Sequence, residues 1–233
     1  MKKNIFWTGG FDSTFRLLQI VNDIEVEEIN IFYVSLLIDN KESSKVSRRS
    51  LDIELKTMSH ILSEIDTTKI KCFTIIGKSE TLLLCNLIFS YGFMNYITKE
   101  EVIYTDKTKI NFFDLYRNNF VNRPISQYTY ISQLLEELDI EAEISLEFNP
   151  NNSTSFWSLL SSAIQNNRII KIRPELESFS RFQLPIINLT KEDMLEIAIK
   201  NGWEKILQLT WSCWYPIGET SCGSCFACKR RVL

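Results

Sequence analysis

The sequence predicts an α/β fold: a doubly wound parallel sheet carrying a small four-cysteine segment at its C-terminal end. Three observations predict it. Apolar runs rich in β-branched and aromatic residues alternate with stretches of helical periodicity. A glycine pair sits between the first such run and the first helix, where an open α/β sheet presents its strand ends to a ligand. Four of the six cysteines then fall together within residues 213–228.

Asn4-Ile5-Phe6-Trp7 reads as a short buried strand. Phe15, Leu18 and Val21, flanked by Leu17 and Ile20, recur at helical spacing after it. Between them lies Thr8-Gly9-Gly10-Phe11-Asp12-Ser13-Thr14. Glycines in such a turn let the backbone approach a ligand closely, and free amides at a helix start attract an anion. Thr8, Ser13 and Thr14 add hydroxyl donors for the same oxygens. The spacing is neither that of a Walker A loop nor that of the dinucleotide fingerprint. The stretch also reads as a plain strand-to-helix turn in which Asp12 or Ser13 caps the helix.

Further along, Glu28–Leu37 reads as a second strand, and Asp39–Ser47 as a polar loop. Leu51, Leu55, Met58, Leu62 and Ile65 alternate steps of four and three, which gives one apolar helix face. His60, the one histidine of the chain, points away from that face and is expected in solvent, which leaves no histidine for acid–base work. Ile70–Ile76 reads as a third strand with Cys72 as a buried thiol, and Thr81–Phe93 as a helix. The aromatic-rich stretch Ile110–Tyr116 reads as a helix, a lid or the contact of a homodimer.

Tyr128, Ile131, Leu135 and Leu138 mark another helix face, and Ile140–Phe148 alternates as a half-buried strand does. Asn149–Ser153 breaks that strand. A helix over Phe156–Ile164 and a short strand over Arg168–Ile172 follow. Thr190, with Asp193 three residues on, forms a capping box ahead of a helix that Gly202 ends. The expected organisation is an α/β domain over 1–203 with a cysteine segment over 204–233 packed on it.

An apolar share of 45% with seven glycines and five prolines argues for a compact globule. A net charge of −3 gives no basic surface and counts against nucleic acid as a partner. No apolar run is long enough to span a bilayer, and the start has no signal-peptide core, so a cytoplasmic protein without a membrane partner is expected. Cysteines there serve as metal ligands or buried thiols before disulfides. Cys213, Cys222, Cys225 and Cys228 follow the pattern Cys-x8-Cys-x2-Cys-x2-Cys, with Gly218 and Gly223 allowing tight turns. Four thiolates at this spacing can close a tetrahedron around Zn²⁺. Redox or disulfide use and an iron–sulfur cluster are the other readings.

The loop resembles the Ser-Gly-Gly-x-Asp-Ser pyrophosphate loop of ATP pyrophosphatases, with Thr8 in place of the first serine. Loop and cysteines together resemble one family, 7-cyano-7-deazaguanine synthase, the QueC family. Its late Pro-Leu-x-x-x-Thr-Lys segment is matched by Pro185-Ile186-Ile187-Asn188-Leu189-Thr190-Lys191. Its Ser-Cys-x8-Cys-Gly-x-Cys-x-x-Cys pattern is matched by Ser212-Cys213 and Cys222-Gly223-Ser224-Cys225-Phe226-Ala227-Cys228. The match runs from about Pro185 to Arg231 and over the start of the chain. The middle departs. Leu37-Ile38-Asp39-Asn40-Lys41 stands where the family has Tyr-Gly-Gln-Arg-His, and Asn122-Arg123-Pro124 only partly matches its Arg-Asn element. The family's Tyr-Pro-Asp-Cys-Arg segment has no counterpart between Phe148 and Ser162, where Phe156 and Trp157 offer rings either for stacking on a heterocycle or for core filling.

The resemblance implies the adenine nucleotide alpha hydrolase-like fold and an ATP-dependent carbon–nitrogen ligase. In the family ATP is cleaved between its α and β phosphates, and a deazaguanine carboxylate becomes an acyl-adenylate. Ammonia takes the acyl group, and the amide is activated again and dehydrated to a nitrile. Here it implies ATP, Mg²⁺ and Zn²⁺ as cofactors, with Thr8, Gly9, Gly10, Phe11, Asp12, Ser13 and Thr14 at the nucleotide. Asp12, Ser13 and Lys191 are the expected catalytic residues: Asp12 orients the loop or a Mg²⁺, and Lys191 brings a cation to the phosphates. A solvated first-turn lysine is the plainer reading of Lys191. The altered middle suggests an antiphage-defence paralogue that passes the deazaguanine acyl group to a protein amine. tRNA thiolation and a non-catalytic binding module are the remaining alternatives.

Overall fold

The structure, a computed structural model, describes residues 1–35, 51–77, 79–98, 131–132, 134–136, 138–147, 164–169 and 180–232. The chain divides into two compact units, residues 1–100 with 189–233, and residues 101–188.

In the first unit four parallel strands lie in the order β4-β3-β2-β1: β1 (Lys2–Phe6), β2 (Glu28–Val34), β3 (Ile70–Gly77) and β4 (Met94–Thr98). Parallel neighbours need crossovers, which α1 (Phe11–Asn22), α2 (Leu51–Glu64) and α3 (Ser79–Ile88) supply. Ile5, Trp7, Ile31, Tyr33, Phe73 and Ile75 fill the core between sheet and helices. The apolar stripe of α2 behaves as its spacing requires: Leu55, Met58 and Leu62 are buried, with Leu51 and Ile65 packed at its ends. His60 is exposed beside Glu64, as expected.

Helix α1 buries residues on almost every side, from Phe11 through Phe15 and Leu18 to Val21. Its last turn carries no basic residue of its own. Lys69 fills that role from the turn before β3, its ammonium donating to the carbonyls of Val21 (2.9 Å) and Asp23 (2.7 Å). Helix α4 (Lys191–Asn201) is closed at both ends by its own sequence. The Thr190–Asp193 capping box is present, and Gly202 takes a left-handed φ of 74° while its N–H caps the last turn. The short helices α5 (Glu204–Gln208) and α6 (Phe226–Lys229) follow it.

Among its described residues the second unit holds four two-residue strands: β5 (Ala142–Glu143), β6 (Ile164–Gln165), β7 (Arg168–Ile169) and β8 (Phe182–Gln183). β5 pairs β8 in parallel, while β6–β7 and β7–β8 are antiparallel.

Four sequence expectations are corrected. Helix α3 stops at Ile88, not Phe93, because Phe89, Tyr91 and Phe93 turn into an aromatic cluster under Phe73 and lead into β4. Ile164 belongs to a hairpin rather than a helix; Asn166 and Asn167, at φ 51° and 61°, make its turn. Over 142–147 burial does not alternate, since Glu143 and Glu147 are buried along with their apolar neighbours. Cys72 is only partly buried and sits between the Thr74 hydroxyl and the Asn95 amide, whereas Cys85 is buried. The readings for 36–50, 99–130 and 148–163, including the aromatic stretch 110–116 and the Phe156–Trp157 pair, lie outside the described residues.

Candidate functional site

The candidate site is the turn between β1 and α1, at the carboxyl end of a parallel strand. Gly10 is the N-cap of α1, at φ −79° and ψ 165°, and no side chain caps the helix. The plain reading, with Asp12 or Ser13 as cap, is therefore not the one adopted. The amides at the helix start face an anion-favouring dipole end without a capping oxygen. Gly9 has φ +69°, and a Cβ there would fall 2.7 Å from Met58 Cγ in the core, so this position admits glycine alone.

Hydroxyls tie the turn together. Ser13 Oγ accepts from the Thr8 N–H at 3.3 Å, lies 3.3 Å from Thr8 Oγ1 and donates to the Gly10 carbonyl at 3.3 Å. Thr14 is fully buried, and its hydroxyl accepts from Trp7 Nε1 at 3.0 Å, which fixes the first turn of α1 to the strand below it. Of the loop residues, Thr8 and Gly10 are partly exposed, while Phe11, Ser13 and Thr14 are buried.

Lys191, at the first position of α4, reaches this turn. Its ammonium lies 2.7 Å from Asp12 Oδ1 and 4.9 Å from the centre of the Phe11 ring. A cation at a helix N-terminus opposes the dipole, and the Asp12 carboxylate offsets that cost. The lysine is 14% exposed, so the solvated-lysine reading does not hold. A second cation, Arg230, is partly buried. Burial pulls its pKa below the ordinary value, and the Asp12 charge works in the opposite direction. The guanidinium stays charged.

The cysteines gather a short way off. All four Sγ atoms of Cys213, Cys222, Cys225 and Cys228 lie within 4.8 Å of one another. Cys228 Sγ is 3.8 Å from that of Cys222 and 3.4 Å from that of Cys225. Thiolates about 2.3 Å from a tetrahedral ion stand about 3.8 Å apart, so the set fits one. Backbone N–H groups already point at the sulfurs: Cys222 N to Cys213 Sγ, Cys225 N to Cys222 Sγ, and Cys228 N to Cys225 Sγ, at 3.3–3.4 Å. Bonds of this kind orient ligands around a metal.

Hydrogen bonds from the Ser224 backbone and side chain lower the Cys222 thiol to about 6. Burial would raise Cys225, but N–H bonds from Trp214 and Cys228 bring it down. Burial raises Cys213, and burial with the neighbouring Cys225 thiol pushes Cys228 up to about 12. A bound dication is what would let all four ionise together.

The segment is also tied to the loop, since the Trp211 N–H donates to the Gly9 carbonyl at 3.1 Å. The structure thus brings together the loop, Lys191 and the start of the cysteine segment.

Residues 129–232 match the family model of the queuosine biosynthesis protein QueC. A 50-residue stretch is 44% identical to the 7-cyano-7-deazaguanine synthase of Caldicellulosiruptor saccharolyticus, covering 22% of this chain and 21% of that relative. No solved structure matches the chain. Lys191, Arg230 and the four cysteines lie inside the family match, and the loop at Thr8–Thr14 lies before it. On these matches residues 129–232 of the chain are QueC-like.

Proposed function

We propose that this chain is an ATP-dependent carbon–nitrogen ligase that adenylates a 7-deazaguanine-type carboxylic acid, 7-carboxy-7-deazaguanine, and converts it to an amide or nitrile. The observation that carries the reading is the uncapped start of α1, with Lys191 held at 2.7 Å from Asp12 beside it, in a chain whose later half is QueC-like. Amides of Gly10 and Phe11 and the hydroxyls of Thr8 and Ser13 would take the β and γ phosphates of ATP, and Lys191 would offset charge as pyrophosphate departs. The carboxylate oxygen attacks the α phosphorus, the α–β phosphoanhydride bond breaks, and pyrophosphate leaves. An amine then attacks the acyl carbon, and AMP leaves with the carboxylate oxygen. Asp12, the carboxylate of the loop, would hold Mg²⁺, which would supply charge neutralisation at the phosphates. Zn²⁺ in the four-cysteine set is structural, since all four positions are protein thiolates and none is left open for substrate.

A second reading keeps this activation and delivers the acyl group to a protein amine. It is favoured by the departures from the family at residues 37–41 and between 148 and 162. The cytoplasm is the proposed location. Among the described residues no helix is long and apolar enough to cross a membrane.

Mass analysis of products from the acid, ATP and ammonium tests the choice. An amide or nitrile with stoichiometric AMP supports the ligase. Conversion of ATP only when a protein amine is present supports the second reading. No AMP with any acceptor overturns both.

A further inference from the structure

We propose that Phe11 is a positioning residue of the phosphate site, its ring holding the ammonium of Lys191 at the start of α1. The inference deepens the reading of the Thr8–Thr14 turn as a pyrophosphate loop and rests on it.

The need for such a residue follows from the lysine itself. Its ammonium is a compact point charge on a flexible four-carbon stem. At the first position of α4 the helix dipole opposes that charge. Two successive residues in the first turn of α1 hold it. Asp12 Oδ1 lies 2.7 Å from Nζ, and the ammonium stands over the Phe11 ring, 4.9 Å from its centre. At that distance the ring quadrupole attracts a cation, and the attraction grows as water is excluded. Water has little access here, since Phe11 is 8% exposed and the Lys191 side chain 14%.

A phosphate site favours a ring as the second holder. Another carboxylate would also fix the ammonium, but its negative charge would repel an arriving phosphate. A ring face attracts the cation without adding net charge, so the charge of the lysine is kept for the ligand.

The packing of α1 explains why a ring stands at this position. Phe11 and Phe15 are one turn apart and share a face of the helix. Phe15 meets the Trp203 ring edge-on at 6.1 Å, just past the end of α4, and Phe11 meets Lys191 at its start. Leu17, Ile20 and Val21 of the same helix join the core between sheet and helices instead. Phe11 also follows the Gly10 N-cap directly, so one backbone position sets both the ring and an amide of the uncapped helix start.

The test measures binding of inorganic pyrophosphate and of adenosine to the metal-loaded full chain. The variants are Phe11→Leu, Phe11→Tyr, Lys191→Met and the double variant of Phe11→Leu with Lys191→Met. Phe11→Leu keeps an apolar side chain and loses the quadrupole; Phe11→Met takes its place in the set if it does not fold. It should weaken pyrophosphate about fivefold, the scale of a partly desolvated cation–π contact, and leave adenosine unchanged. Phe11→Tyr keeps the ring and should recover most of that loss. In the Lys191→Met background Phe11→Leu should cost nothing further, because no ammonium is left to hold. The same loss in both backgrounds, or a loss shared by adenosine, overturns the inference by marking a core-filling role. Pyrophosphate affinity equal to the parent's in Phe11→Leu overturns it while leaving the loop reading standing. A parent protein that binds no pyrophosphate overturns the loop reading and this inference together.

Discussion

Lys191 Nζ lies 2.7 Å from Asp12 Oδ1, an ion pair that joins positions 179 residues apart and brings the start of α4 to the start of α1. It connects the segment that carries the family match to the N-terminal turn that precedes it. Lys191→Met should lower ATP–pyrophosphate exchange about a hundredfold, the usual effect of removing one group that stabilises charge in the transition state. Circular dichroism should be unchanged. Exchange at the parent rate would return Lys191 to a structural role.

The two loop glycines should fail in different ways. Gly9→Ala meets a left-handed φ of +69° and Met58 Cγ at 2.7 Å in a fully buried position, so it should lose at least about 1–2 kcal/mol of stability from backbone strain alone. Gly10→Ala has ordinary dihedrals, and its Cβ would stand 3.4 Å from Thr8 Oγ1 and 3.6 Å from the Trp211 carbonyl oxygen. It should fold normally and lose AMP and pyrophosphate production, because the methyl occupies the approach of the phosphate. Urea melts paired with turnover assays separate the two outcomes.

Metal analysis should find one Zn²⁺ per chain. Removing one ligand, as in Cys222→Ser, should release it, since structural zinc is worth on the order of 10 kcal/mol in small modules. The tryptophan signals of Trp211 and Trp214 in near-ultraviolet circular dichroism should change with it. A well-folded sample that holds iron or no metal contradicts this.

Asp193 gives a pH signature. Hydrogen bonds from the Thr190 backbone and hydroxyl hold its carboxyl below the usual 3.8. A carboxylate whose folded pKa is depressed contributes stability that is fully present above its unfolded value and is lost as pH falls through the folded one. Asp193→Asn should therefore be less stable than the parent at neutral pH, with the gap closing below the ordinary aspartate pKa. Thr190→Ala should cost about 1 kcal/mol at neutral pH. Denaturant melts at several pH values check both, and a gap that does not change with pH contradicts the capping account.

Local signals were legible in the sequence and distant ones were not. The capping box at Thr190 and Asp193, the stripe of α2 and the cysteine spacing each sit within a few residues of their partners. Strand β4 went unread because Met-Asn-Tyr-Ile-Thr is short and carries polar residues, while the aromatics before it imitate a helix face. The Asn166-Asn167 turn was readable in its residue types, but the two-residue strands beside it are too brief to show a period. The bond from the Trp211 N–H to the Gly9 carbonyl was invisible, because it exists only once the cysteine segment has folded back onto the loop.

The central claim is that the Thr8–Thr14 turn and Lys191 activate a deazaguanine carboxylate with ATP. The most direct measurement is exchange of labelled pyrophosphate into ATP by metal-loaded protein, with and without 7-carboxy-7-deazaguanine. The account predicts label in ATP only when the acid and Mg²⁺ are both present. No incorporation above the blank with folded, metal-loaded protein would contradict it.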